Sequence, residues 1–282
     1  MTKDQKLLIK FLERNLPSMA TTFDEGIGIA SERFAMAKII KRITKEYKIK
    51  SVLEAPVDGL MGIPGMNSVY FARQGAKVTV SSPSQKLLDN AQIFWKKLGL
   101  KKKVSFVPDP SFEFPFKDHS FDLVWNYCIF ERFKDGSLLP IMKKLSSKYI
   151  LITTQNCFNW GYPIHQYYHR KNNQTWDHGY PELMRLGYLK KTLKDAGLDI
   201  VETGFFDVAP WLDTFDMHTR GLGKKLVKGD DGWDWSSLQK GDLEKLSQAK
   251  LIKFLVVFEK LAFLPFNFLF SHHFYLLAKK VS

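Results

Sequence analysis

The chain has 282 residues, 45% hydrophobic and 25% charged, a globular composition that excludes a disordered or fibrous protein. Its 42 Lys and Arg against 29 Asp and Glu give a formal net charge of +13, which favours anionic partners: nucleic acid, an acidic lipid surface or an anionic metabolite. The two cysteines, Cys128 and Cys157, exclude a disulfide framework and point to a reducing cytoplasm. The cations are spread along the chain, which reads as a solvated basic surface rather than a nucleic-acid tail. Residues 1–6 open charged, without a signal-peptide core. The greasiest stretch, 251–270, is broken by Lys253, Glu259 and Lys260, so no spanning helix is expected.

In chain order, Leu7, Leu8, Phe11 and Leu12 make residues 5–15 a short amphipathic helix. Residues 21–29 read as a Gly-punctuated loop. A second helix runs from about Ser31 to Tyr47, with Glu32 in its first turn. The first strand ends at Glu54 and feeds a loop dense in Gly and Pro. A helix over 69–74, capped by Gly75, and a strand over 77–80 complete a βαβ unit, whose loop suits a nucleotide-like ligand. A helix over 83–98 follows, then strands over 104–107 and 121–125, a basic helix over 138–147 and a strand over 149–153. Strands alternating with helices at this spacing imply a mostly parallel, doubly wound sheet. After an aromatic stretch at 156–180, the pattern predicts a helix over 181–196, a strand over 199–203, an apolar helix around 251–261, a turn at Pro265 and a last strand over 273–278.

These motifs resemble a class I S-adenosylmethionine-dependent methyltransferase. Val52-Leu53-Glu54 with its Gly-containing loop is similar to that family's first motif, Phe121–Val124 to its fourth, and Gly187–Leu198 to its late helix before strand six. The resemblance implies a three-layer α/β/α Rossmann-like fold, with a mostly parallel seven-stranded sheet and an antiparallel last strand. It implies S-adenosyl-L-methionine as cofactor and a divergent cofactor loop. Glu54 would fix the loop or the methionine ammonium, and Asp58, Gly59 and Gly62 would let the backbone pass close to the cofactor. Asp109, with Pro110 beside it, matches the acid that accepts from the adenine amino group. Asn126, Tyr127 and Cys128 fall where the family places residues near the transferred methyl. The loop begins Ala55-Pro56, with Pro at the usual first glycine, and the acid that normally holds the ribose hydroxyls falls on Ser82.

The aromatic stretch is expected to carry the substrate. Trp160, Tyr162, Tyr167, Tyr168, Trp176 and His178 could line an apolar pocket with polar tips. His165 or His169 could act as general base, with Tyr127 as a further catalytic candidate. His165 and His169 are four apart on one helical face, with His178 and Cys157 nearby. Without the Glu of a zincin motif, no metal is expected. His272-His273 reads as structural. The Phe-rich 251–270 stretch is either core or a surface for an anionic membrane.

The organisation implied is an N-terminal helical cover over 1–47 and a methyltransferase-like domain over 48–282, with substrate insertions at about 155–182 and 204–250. The expected function is cytoplasmic methyl transfer to the O, N or C atom of a small-molecule or lipid-like acceptor, with peripheral membrane contact as one version. The alternatives are a catalytically inactive methyltransferase-fold scaffold, suggested by Pro56 and Ser82, and an RNA-modifying enzyme, suggested by charge alone; nucleic acid is disfavoured as a partner.

Overall fold

The computed structural model describes residues 24–25, 27–57, 65–173, 176, 178–208, 233–234 and 264–280, with Lys6, Val257 and Glu259 as isolated positions. Apart from those three positions, the helices expected over 5–15 and 251–261 lie outside these residues, as do Asp58, Gly59 and Gly62 and most of the second insertion. The strands are β1 (Asp24–Glu25), β2 (Ser51–Glu54), β3 (Lys77–Ser82), β4 (Val104–Pro108), β5 (Phe121–Tyr127), β6 (Ser146–Gln155), β7 (Leu198–Val208), β8 (Trp233–Asp234) and β9 (Ser271–Lys280). The helices are α1 (Ile27–Glu46), α2 (Val69–Arg73), α3 (Gln85–Lys97), α4 (Leu139–Leu145), α5 (Tyr162–Lys171), α6 (Leu186–Asp195) and α7 (Leu264–Phe270).

Seven strands form one sheet in the order β4-β3-β2-β5-β6-β9-β7. β4, β3, β2, β5 and β6 pair in parallel. β9 lies antiparallel between β6 and β7. The expected antiparallel last strand is therefore present, as an internal strand. β1 and β8 form a separate antiparallel pair.

Successive strand residues point to opposite faces, so a sheet covered on both sides must be apolar at consecutive positions. Val52, Leu123, Trp125 and Leu151 enter one core with α1, α2 and α3. Their neighbours Leu53, Val124, Ile150 and Ile152 enter a second core with α4 and α6. β9 is buried continuously from Ser271 to Ala278, as an internal strand with both faces covered must be. Trp125 is fully buried; its indole N–H donates to Ser68 Oγ at 3.0 Å, so the one polar atom of a large apolar side chain is satisfied.

Three expectations are corrected. Residues 27–29, read as loop because of Gly26 and Gly28, belong to α1. A glycine inside a helix costs about 1 kcal/mol, less than is gained by burying Met36, Ile40 and Ile43 of the same helix completely. Pro265, read as a turn, is the second residue of α7, where its missing N–H would have had no intrahelical partner. The strand read as 199–203 runs on to Val208 because β9 pairs with it along its length, with a register shift between Ile200 and Glu202. α1 packs on the sheet beside α2, and Arg42 near its end donates to Glu202 of β7 at 2.8 Å.

Candidate functional site

The carboxyl ends of β2, β3, β4 and β5 lie side by side, which brings Glu54, Ser82, Asp109 and Tyr127 to one edge of the sheet. Glu54 is buried and pairs in register with Val80 and Trp125. The Ala55–Pro56 peptide is cis, and the Ala55 N–H donates to Trp125 O at 3.0 Å. Val57 N–H donates to Ser81 O at 2.9 Å, while the buried Ser82 hydroxyl donates to Val57 O at 2.8 Å and accepts from Ser84 N–H at 3.2 Å. Ser82 thus stitches the start of the β2 loop to β3. At the far end of that loop Gly65 has φ +67, and a Cβ there would lie 3.1 Å from both methyls of Val80; only glycine brings the chain this close without displacement.

Asp109 is also buried. One carboxylate oxygen accepts from Glu113 N–H at 2.8 Å and the other from Phe114 N–H at 2.9 Å. The carboxylate is the centre of the turn that follows β4, and Pro110 lies exposed next to it. Asn126 is fully buried on the α4 side, with its amide 3.5 Å from Met142 Sδ. Tyr127 points to the opposite face.

Beyond Tyr127 the structure gathers groups that the sequence reading passed over. The Tyr127 hydroxyl donates to Glu32 Oε1 of α1. His273 Nδ1 lies 3.7 Å from Glu32 Oε1 and 3.8 Å from Asp207 Oδ2, and His272 Nδ1 is 2.8 Å from the same Asp207 oxygen. Asp207 sits at φ +56 in β7, a strained setting for a residue other than glycine. Cys128, at φ +53, is held by Thr153, which receives its N–H at 3.2 Å from Oγ1. Glu131 is fully buried below, accepting from Gln155 N–H at 3.4 Å. One signal for this cluster was available in the sequence. An antiparallel last strand begins at the edge where the parallel strands end, so His272 and His273 had to arrive there.

Electrostatics sorts these groups into roles. Burial raises the Tyr127 phenol well above its usual value, and Glu32 adds to it, so Tyr127 remains a protonated donor. Burial likewise pushes the Cys128 thiol up to about 12, which leaves it a neutral thiol. Burial opposes charge on His273, but the carboxylates of Glu32 and Asp207 carry it well above the ordinary histidine value. Asp207, also opposed by burial, is held well below the usual carboxylate range by His272 and His273. Glu131 is raised by burial to about 7. A carboxyl at that value can exchange a proton near neutrality.

The insertion after β6 is fastened to the start of β9. Asn156 Nδ2 donates to Phe268 O at 2.8 Å and Ser271 O at 3.0 Å, and Asn159 Nδ2 donates to Ser271 O at 3.1 Å. From this anchor α5 runs outward and divides the expected substrate residues into two groups. Tyr162, His165, His169, Trp176 and His178 form one aromatic cluster, with ring centroids 4.4–5.6 Å apart in its contacts. Trp160, Tyr167 and Tyr168 are exposed and outside that cluster, because its inner positions follow the four-residue helical repeat of His165 and His169. Phe158 stacks instead on Phe268 of α7, with ring centroids 4.6 Å apart, and Trp160 lies tilted against Phe270 at 6.3 Å.

Residues 61–139 match the family described as "Methyltransferase domain", a stretch that runs from the β2 loop to the start of α4. Among solved structures, the chain is similar to the MccD protein at 13% identity and TM-score 0.53, over 86% of this chain and 96% of that one. It is similar to a protein of Galdieria sulphuraria named as a candidate sarcosine dimethylglycine methyltransferase, at 12% identity and TM-score 0.51, over 86% and 85%. It is also similar to the 4+2 cyclase SpnF, at 15% identity and TM-score 0.50, over 97% and 93%. No curated protein sequence matches. Strand order, the family match over residues 61–139 and these likenesses agree with the first-motif and fourth-motif resemblance: the chain has the fold of class I methyltransferases, with a methyltransferase-domain match across its cofactor-loop half.

Proposed function

We propose that the protein transfers a methyl group to an oxygen, nitrogen or carbon atom of a small-molecule or lipid-like acceptor. The observation that carries this reading is the line of Glu54, Ser82, Asp109 and Tyr127 along the ends of four adjacent strands, where doubly wound sheets take their ligands. The residues fit the cofactor in part. Buried carboxylates at Glu54 and Asp109 suit its ammonium and adenine amino groups. Ser82 cannot make the two-oxygen contact to ribose, and its hydroxyl is engaged with Val57. When bound, S-adenosylmethionine supplies an electrophilic sulfonium methyl.

What the chain itself supplies is position, exclusion of water and a proton acceptor. The Tyr127–Glu32–His273–Asp207 cluster keeps both buried charges and donors fixed at the edge of β5, β7 and β9. Glu131, at about 7, can take a proton from an acceptor that ionises on methylation, and His165 or His169 on α5 is the other base to test. The aromatic insertion supports an acceptor with apolar surface. Phe158, Trp160 and Leu269, exposed on neighbouring elements, favour its lipid-like version. Among the described residues no helix is long and apolar enough to cross a membrane, so such contact would be peripheral.

The experiment is transfer from methyl-labelled S-adenosylmethionine to fractionated small-molecule, lipid and RNA extracts. Label in the small-molecule or lipid fraction is expected. Label confined to RNA, or none in any fraction while the cofactor binds, would overturn the acceptor assignment.

A further inference from the structure

We infer that His165, His169 and His178 form a binding site for a divalent transition-metal ion of the zinc class. The three residues each present one ring nitrogen, and these nitrogens all lie within 4.8 Å of one another. His165 and His169 are fixed by helical spacing on α5, and the chain returns through Trp176 to bring in His178. His169 Nε2 and His178 Nε2 are 3.2 Å apart. Two imidazole nitrogens at zinc–nitrogen distances of about 2.0–2.1 Å and a tetrahedral angle are about 3.3 Å apart. That pair is already at ligand separation, and the third nitrogen is within the travel of an imidazole turning about its side-chain torsions.

The donor set itself favours a metal of this class, since imidazole nitrogen suits zinc, copper, nickel or iron and not magnesium or calcium. The rings of Trp176 lie 5.6, 5.2 and 4.8 Å from those of His165, His169 and His178, an apolar wall that limits water on one side. Three protein ligands leave a coordination position for water or for a heteroatom of the acceptor. The binding claim does not depend on the methyl-transfer reading.

The test is titration of the untagged 282-residue chain, stripped with chelator and dialysed, with Co²⁺ and then Zn²⁺. One equivalent of Co²⁺ should produce visible ligand-field bands of tetrahedral or five-coordinate intensity and partial quenching of tryptophan fluorescence, both reversed by Zn²⁺. His169→Gln and His178→Asn should each weaken binding about 100-fold or more, at least the loss known for outer-sphere partners of metal ligands. Far-UV circular dichroism without metal establishes that each variant is folded. Absence of stoichiometric binding to the wild-type chain at micromolar metal, or binding undiminished in both folded variants, would overturn the site.

Discussion

Replacing Glu131 by Gln tests the electrostatics of the candidate site. Glu131 is fully buried in the turn after β5, against the end of β6, and its burial raises the carboxyl from 4.5 to about 7. Between those values the folded chain binds a proton that the unfolded chain has released. Stability is therefore full below the unfolded value and falls as pH rises through the folded one. At about 1.4 kcal/mol per pH unit, the full loss is about 3 kcal/mol, of which roughly 2.5 kcal/mol falls between about pH 5 and about pH 8. Glu131→Gln removes this titration. The amide adds its own constant cost, so the informative quantity is the change in variant-minus-wild-type stability between the two pH values. Urea unfolding near pH 5 and near pH 8 should show the variant gaining roughly 2.5 kcal/mol relative to wild type at the higher pH. A change below about 0.5 kcal/mol would mean that Glu131 titrates like an exposed carboxylate, which would refute its assignment as the neutral-range proton acceptor.

Other outcomes follow from single contacts. Tyr127→Phe removes the hydroxyl donated to buried Glu32 and should lower stability by about 1–3 kcal/mol, read by chemical denaturation. Gly179→Ala should cost more than about 2 kcal/mol: Gly179 has φ +106 and an added Cβ would sit 2.5 Å from Glu131 O. Gly187→Ala in α6, where an added Cβ meets nothing within 4 Å, should instead stabilise by about 0.5–1 kcal/mol. Asp109→Ala deletes the acceptor of two backbone N–H groups. It should lower both thermal stability and cofactor affinity, whereas Asp109→Asn, which keeps one carbonyl oxygen, should retain more of each.

The sheet was legible because its strands are buried on both faces. Val52-Leu53, Leu123–Trp125 and Ile150–Ile152 are apolar without alternation, and the helices between them carry clear stripes such as Leu88, Ala91, Phe94 and Trp95. The antiparallel last strand followed from the resemblance rather than from the pattern, and the order of the strands came from the structure alone. Helix boundaries failed where local propensity opposed burial, at Gly28 and Pro265. At the site, the candidates directly after parallel strands were placed by position. Glu32, Glu131, Asp207, His272 and His273 were not, since they come together from α1, β7, β9 and the turn after β5, far apart in sequence. The histidine cluster was half legible: four-residue spacing gave His165 and His169, and only the return of the chain joined His178 to them. The roles of Ser82 and Asp109 also needed the structure, because each is engaged with backbone that its residue type does not reveal.

We propose that the edge formed by Glu54, Ser82, Asp109 and Tyr127 binds S-adenosylmethionine with Ser82 in place of the ribose-binding acid. The test is titration calorimetry of the 282-residue chain with S-adenosylmethionine and with its demethylated product. We predict saturable binding of both at one site per chain, in the micromolar range and markedly weakened by Glu54→Ala in a folded variant. Folded wild-type protein that gives no binding with either ligand at millimolar concentration would contradict the claim.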